Sequence, residues 1–401
     1  MVDVSQDTPD RGSRNLFAFG ATSLLNDTAS EMAYWVLPAF LASIGASPAQ
    51  LGIIEGIAES VASFAKLFSG YLADRVKRRK PVVVSGYLVA NAVKPLLALV
   101  SSWGQVLGIR FADRFAKGIR GTTRDVMLAD SVPASRLGSA YGLLQAMDSA
   151  GAIAGPLLAL LLLPHYGLRG VFWFAAMPGA LCVAVAFFGI REVRRERETN
   201  PNHQQPSTAR SAAHFPGKFY FVLLAVTFFS LGNSSDMFLV LRAQNLGIPA
   251  THAPLLGLVF NVTYTLFSWP MGHLSDRSSR RVLAAFGYLV FAAVYFIFAV
   301  APNVATIWLA MAVYGLFYAL TNPVLKALIV EAVAPELRGR ALGIYSFITS
   351  VAILLASLIT GEMWKHYGPQ VPFYLSAGIA LVSAALLLIS HGTEATQKPV
   401  A

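Results

Sequence analysis

Seven charged residues stand within sixteen in "RFADRFAKGIRGTTRD", residues 110–125, and the sequence on either side is apolar. On a helix, Arg110, Asp113, Arg114, Lys117, Arg120 and Arg124 recur at spacings of three and four and share one face. Phe111 and Phe115 point elsewhere. At mid-depth in lipid a charged side chain costs about 2.5–3.5 kcal/mol. The charged face must therefore meet protein or a water-filled cavity. The chemistry open to it is ion pairing, anion binding, and the holding of a carboxylate whose proton comes and goes. A carboxylate beside a movable arginine changes its hold on a proton as the arginine approaches or withdraws.

Carboxylates for that role stand in other apolar stretches. Asp27 and Glu31 lie one turn apart, Glu55 and Glu59 lie in the next apolar run, and Asp148 and Asp236 follow. Lys66, Lys94, Arg242 and Lys326 are further buried cations. The histidines, at 165, 203, 214, 252, 273, 366 and 391, fall in loops or near span ends. A histidine relay at mid-membrane is not expected, and a carboxylate remains as the proton carrier. Asp27, Glu31 and Asp148 with Arg114 form the candidate set. Trp35, Glu59, Arg110, Asp113, Lys117, Asp236 and Lys326 are candidates to line a substrate cavity. No "GxxxxGK[ST]", no "HExxH" and no catalytic carboxylate pair appears, so neither a built-in ATP motor nor an enzyme is expected. No cofactor and no metal are expected either, and the lone Cys182 permits no intrachain disulfide.

The elements that position these residues follow from composition. The chain has 401 residues, of which 55% are apolar and 13% charged. Soluble domains carry about 25% charged residues, and repeated apolar runs of about 20 residues mark membrane-spanning helices. Twelve such spans are read at about 15–43, 50–73, 81–100, 104–128, 138–163, 168–190, 218–245, 252–273, 281–301, 304–329, 338–362 and 370–391. Residues 1–14 are polar, and the first apolar run is too long for a signal peptide. The net charge of +10 lies in loops on one side, including "RVKRRK" (75–80), "REVRRER" (191–197) and "RSSRR" (277–281). That side holds about 20 lysines and arginines and the other about 2, so both termini are expected in the cytoplasm. Trp103, Trp173, Trp308 and Trp364 fall at the opposite span ends, where an aromatic belt belongs. The charge serves topology, and nucleic acid is not an expected partner.

The stretch 191–217 has a linker composition and divides the chain into six spans and six. The halves repeat. "GYLADRVKRRK" (70–80) returns as "GHLSDRSSRRV" (272–282), "DSVPASRLGSAYG" (130–142) as "EAVAPELRGRALG" (331–343), and "SEMAYWVLP" (30–38) as "SDMFLVLRA" (235–243). The expected plan is a tail at 1–14, a bundle at 15–190, a linker at 191–217, a bundle at 218–391 and a tail at 392–401. Parallel repeats of this kind place a substrate site between the halves and work by rocking one against the other.

With those features the chain resembles the major facilitator superfamily over essentially its whole length. "GYLADRVKRRK" matches the loop 2–3 signature of that superfamily. "FADRFAKGIRGT" (111–122) resembles the span 4 signature of its proton-coupled antiporters, and "GAIAGPLLAL" (151–160) the span 5 signature. Arg114 stands at the family's proton-linked arginine and Gly118 at its glycine, while Lys117 and Arg120 stand where glutamine and a small residue are usual. The resemblance implies an all-α integral membrane protein of twelve transmembrane helices in two pseudo-symmetric six-helix bundles, both termini cytoplasmic. It implies that spans 1, 4, 7 and 10 line the cavity. Asp74, Arg75, Arg78, Arg124, Asp130, Asp276 and Arg277 would form a gate at the inner face.

The function so implied is proton-coupled export of a small organic molecule, a drug-like compound, siderophore or metabolite. An importer or exchanger of an organic anion on the same fold stays open, as does a non-transporting receptor or scaffold. The expected partners are a small-molecule substrate, protons and the lipid bilayer, for a monomer in a bacterial cytoplasmic membrane. Arg124, placed nearer the surface, is expected to tolerate lysine better than Arg114.

Overall fold

A computed structural model of the chain describes residues 8–46, 48–193, 215–249 and 253–395. The start of the first tail, most of the linker and the end of the last tail lie outside the described residues, as does the side chain of Glu59. The described residues form helices and no strands. In the first half these are α1 (Thr8–Ser43), α2 (Pro48–Arg75), α3 (Lys80–Val93), α4 (Trp103–Ser131), α5 (Leu137–Phe174) and α6 (Ala176–Gly189). The second half holds α7 (Gly217–Ser230), α8 (Met237–Asn245), α9 (Ala253–Arg277), α10 (Arg280–Val300), α11 (Val304–Glu331), α12 (Arg338–Tyr367) and α13 (Val371–Ala395).

Six helical segments among the described residues are long and apolar enough to cross a membrane. Helices α1, α2 and α4 are absent from that set because they carry the charges. Helix α4 shows how they are accommodated. Arg110, Asp113 and Arg120 are 7%, 7% and 4% exposed, whereas Phe111 and Phe115 are each 46% exposed. The charged stripe faces protein and the aromatic face looks outward, as the spacing predicts. Ser102 and Gln105 close the start of α4 with a capping box.

One expected boundary differs. The span read at 218–245 is broken into α7 and α8, and Leu231–Asp236 between them is not helical. Its "LGNSSD" supplies a glycine and short polar side chains that compete for backbone hydrogen bonds. The helix starting at Leu137 bends at Gly167, whose φ of 64° suits glycine and separates the fifth span from the sixth.

Small residues set the packing. A Cβ on Gly151 would meet the Leu24 carbonyl at 2.7 Å and one on Gly155 the Thr28 carbonyl at 2.8 Å, so α5 rides directly on α1. The halves meet through α5 on α9 and α2 on α12. Gly138 and Gly142 cross Gly272 in the first of these contacts, and Gly70 crosses Gly339 and Gly343 in the second. Both crossings lie at the end of the molecule that carries Asp74 and Asp276, called the charged end below.

Candidate functional site

The repeated "D-R" loops form two matching clasps. Asp74, at the end of α2, accepts hydrogen bonds from the Gly339 and Arg340 amides at 2.9 and 2.8 Å. Those amides open α12, in the other half. Asp276, at the end of α9, accepts from the Gly138 and Ser139 amides at 2.7 and 2.8 Å, at the start of α5. Each carboxylate thus fills the unsatisfied N–H groups of a helix in the opposite half and meets its positive dipole end. The glycine crossings are what let the carboxylates come so close.

Arginines brace both clasps. Arg79 donates to Asp130 at 2.6 Å, and Arg338 from the second half donates to the same carboxylate at 2.6 Å. Arg280 donates to Glu331 at 2.7 Å, to Asp276 at 2.9 Å and, across the halves, to the Ala134 carbonyl at 3.0 Å. Of the expected gate residues, Asp74, Asp130 and Asp276 lie here, and arginines other than the expected ones bind them. Arg75, Arg78 and Arg277 are exposed, while Arg79, Arg280, Arg338 and Arg340 make the bonds. The two halves carried the missing signal, because Arg79 with Asp130 and Arg280 with Glu331 repeat at one offset.

This contrast gives a first prediction. Arg78→Ala should change stability by less than about 0.5 kcal/mol, as expected of an exposed side chain. Arg79→Ala should cost about 2 kcal/mol, because it removes one of two partners of a buried carboxylate. Thermal unfolding of the purified variants measures both, and equal shifts would remove Arg79 from the brace.

Deeper in, the expected proton-coupling residues come together. Asp27, Glu31 and Trp35 follow one another at intervals of four along one stripe of α1. Glu31 lies within electrostatic reach of Lys117, Asp27, Arg114 and Arg110. Asp27, Glu31, Arg114 and Lys117 are all half-buried, and Trp35 is 42% exposed. Asp148 of α5 joins Asp27 to a second cluster, with the Arg124 guanidinium 3.6 Å away.

Other assigned residues lie elsewhere. Arg110 grips Glu55 with both carboxylate oxygens at 2.7 and 2.9 Å, and Lys94 stands 3.4 Å from Asp113. These pairs are turned into the first half and tie α2, α3 and α4 together. Arg124 is largely enclosed by protein. Its side chain is 12% exposed and donates to Ser23 at 2.7 Å and to Asp125 at 3.1 and 3.2 Å. Lys326 is not in open space either, since its ammonium pairs with Asp125 at 2.9 Å, bridging α11 to α4 across the halves. Asp125 adjoins Arg124 in the charged stretch, but nothing in the sequence names Lys326 as its partner. Asp236 remains exposed, and it accepts a hydrogen bond from the Tyr314 hydroxyl at 2.8 Å.

The hydrogen bonds of the clasps and braces and the Lys326–Asp125 ion pair join residues before 193 to those after 215 toward the charged end. The halves are thus joined at one end by the clasps and the Lys326–Asp125 bridge; the seam between them beyond this closure is called the cleft below.

Comparison with known proteins accords with this geometry. The sequence profile of the Major Facilitator Superfamily matches residues 19–241 and 221–400. An uncharacterised MFS-type transporter of Methanocaldococcus jannaschii is 32% identical over 384 residues, 94% of each chain. The multidrug resistance protein MdtG of Escherichia coli is 24% identical over 403 residues, 96% of each chain. Among solved structures, the human organic anion transporter MFSD10 superposes with a TM-score of 0.78 at 15% identity, over 94% of this chain and 99% of that one.

Proposed function

Because the chain belongs to the Major Facilitator Superfamily, we propose that it is a proton-coupled secondary active transporter that exports a small organic molecule by alternating access. The observation that supports this reading is the half-buried cluster of Asp27, Glu31, Arg114 and Lys117 on α1 and α4, in a molecule whose halves are joined at one end by reciprocal clasps. A carboxylate next to a cation that can move is a proton site that responds to conformation. Two clasps on one pseudo-symmetric plan make a closure that releases as a unit.

The lysine- and arginine-rich end is read as cytoplasmic. On that reading both termini are cytoplasmic, the twelve spans form two six-helix bundles, and the cleft faces outward. The protein would work as a monomer in a bacterial cytoplasmic membrane. The similarity to a multidrug resistance protein supports a drug-like organic substrate and the export direction.

The test is transport into proteoliposomes under an imposed pH gradient, against a panel of organic compounds. Asp27→Asn or Glu31→Gln should lower gradient-driven accumulation at least tenfold, an effect of about 1.4 kcal/mol or more. Exchange of substrate across the membrane without a gradient should persist. If both variants still concentrate substrate, the proton site lies elsewhere, and Asp148 is the next carboxylate to replace.

A further inference from the structure

The break between α7 and α8 places Asp236 in an unusual setting. It stands at the start of α8, yet its side chain does not cap that helix. The carboxylate turns instead toward α11 and accepts from the Tyr314 hydroxyl at 2.8 Å, with the Tyr318 hydroxyl at 3.5 Å. Around these two tyrosines the rings are dense. Phe260 of α9 lies 5.1 Å from Tyr318 and 5.7 Å from Tyr314, centroid to centroid, and Tyr264 lies 5.5 Å from Tyr318. Gly315 fixes the wall, because a Cβ there would meet the Phe260 carbonyl and hold α9 and α11 apart. Asn322 donates to the Tyr264 hydroxyl at 2.7 Å and orients that ring.

The nearby cations are committed elsewhere. Arg242, six residues along, donates to the Phe298 and Ala299 carbonyls at 3.0 and 3.3 Å. Lys326 is held by Asp125 at 2.9 Å. Among the described residues no lysine or arginine pairs with Asp236. An acid at membrane depth with no built-in counter-charge is costly unless a cation arrives to meet it. The tyrosines leave acceptor positions open on an exposed carboxylate. The rings of Tyr318 and Phe260 are only partly covered, and their π faces are surfaces that attract an ammonium group.

We propose that Asp236 with Tyr318 and Phe260, backed by the buried Tyr314 and Tyr264, forms the recognition site for the head of an organic cation, an amine or quaternary ammonium bearing an apolar body. This deepens the function proposed above and rests on the space between the halves being the transport route. It sets the substrate class from the second half, whereas the proton cluster lies on α1 and α4 of the first. Charge pairing fixes the ammonium on Asp236, and the rings replace its water without demanding a particular shape. Cations of different bodies would therefore be accepted.

The probe is benzyltrimethylammonium, compared with neopentylbenzene, the neutral molecule of the same shape. Binding to the purified full-length protein is measured by equilibrium dialysis. The wild type should bind the cation at least tenfold more tightly than the neutral isostere. Asp236→Asn should weaken cation binding at least tenfold and leave the isostere unchanged, and Tyr318→Leu should weaken the cation by several-fold. Equal affinity of the wild type for the two probes overturns the proposal and needs no variant. Cation binding unchanged in Asp236→Asn overturns it as well, and leaves Asp236 as a proton or structural carboxylate. Gradient-driven transport is scored separately with the Asp27 and Glu31 variants. Asp236-dependent cation binding in a protein that shows no gradient-driven transport would sustain this site and sink the proton coupling. Gradient-driven transport of other solutes without cation selectivity would do the reverse.

Discussion

Asp74→Asn combined with Asp276→Asn should open the charged end of the protein. Each aspartate accepts two backbone N–H groups at the start of a helix in the other half. Asparagine keeps the shape but offers one acceptor oxygen and presents an NH2 group to the second amide. It also removes the negative charge that meets the helix dipole, worth up to about 2 kcal/mol in partly buried settings. A loss of about 2 kcal/mol is roughly 30-fold in the ratio of closed to open forms. The two clasps belong to separate helix pairs, so the double variant should shift the ratio by several hundred-fold if the effects add. Arg78 and Arg277 are exposed, sit on opposite halves and take no part in the clasps, which makes them suitable label sites. Spin labels at those two positions, in a Cys182→Ser background, should report a longer distance in each single variant and the longest in the double. Labels that stay at the wild-type distance in the double variant would reduce the clasps to helix caps with no hold on the closure.

The fold was legible because the physics behind it is coarse. Lipid rejects charge and requires backbone hydrogen bonds to be satisfied within a helix, so long apolar runs announce themselves. The charged stripe of α4 was legible too, since its spacing leaves it only one face. The break between α7 and α8 was not, because "LGNSSD" is apolar enough on its flanks to read as one span. Partner choice was the least legible. Sequence shows that Arg110, Asp113, Arg124 and Lys326 are buried charges, but rotations of a few tens of degrees decide whether each looks into its own half or across the cleft. Arg110 takes Glu55 and turns inward, while Lys326 crosses to Asp125. The choice between Arg78 and Arg79 has the same origin. One step along the chain exchanges a solvated side chain for one held by Asp130 and the Ala73 carbonyl.

Lys326 is where that hidden geometry should have its largest consequence. Its ammonium, 2.9 Å from Asp125, reaches across the halves above the clasps. On the far side of Asp125, the Arg124 guanidinium holds Oδ1 with two donors and extends to Ser23 and Asp148. The bridge therefore links the closure to the buried carboxylates of the first half. On the proposed alternating-access cycle, opening the charged end must pull Lys326 off Asp125, and Arg124 is then the cation that keeps Asp125 from being stranded. Lys326→Met preserves the stem and removes the charge. The variant should fold, since Asp125 retains Arg124, but it should no longer favour the closed form. Gradient-driven transport should fall about 100-fold, equivalent to about 2.7 kcal/mol. Asp125→Asn alone should do similar damage, because it releases two cations at once. The double variant should be no worse than either single, giving a coupling about equal to the single-variant effect, about 2.7 kcal/mol, in a double-mutant cycle. The measurement is the same pair of spin labels, with transport at matched protein density beside it. Strictly additive effects would mean that Lys326 and Asp125 act independently, and that the closure is carried by the clasps alone.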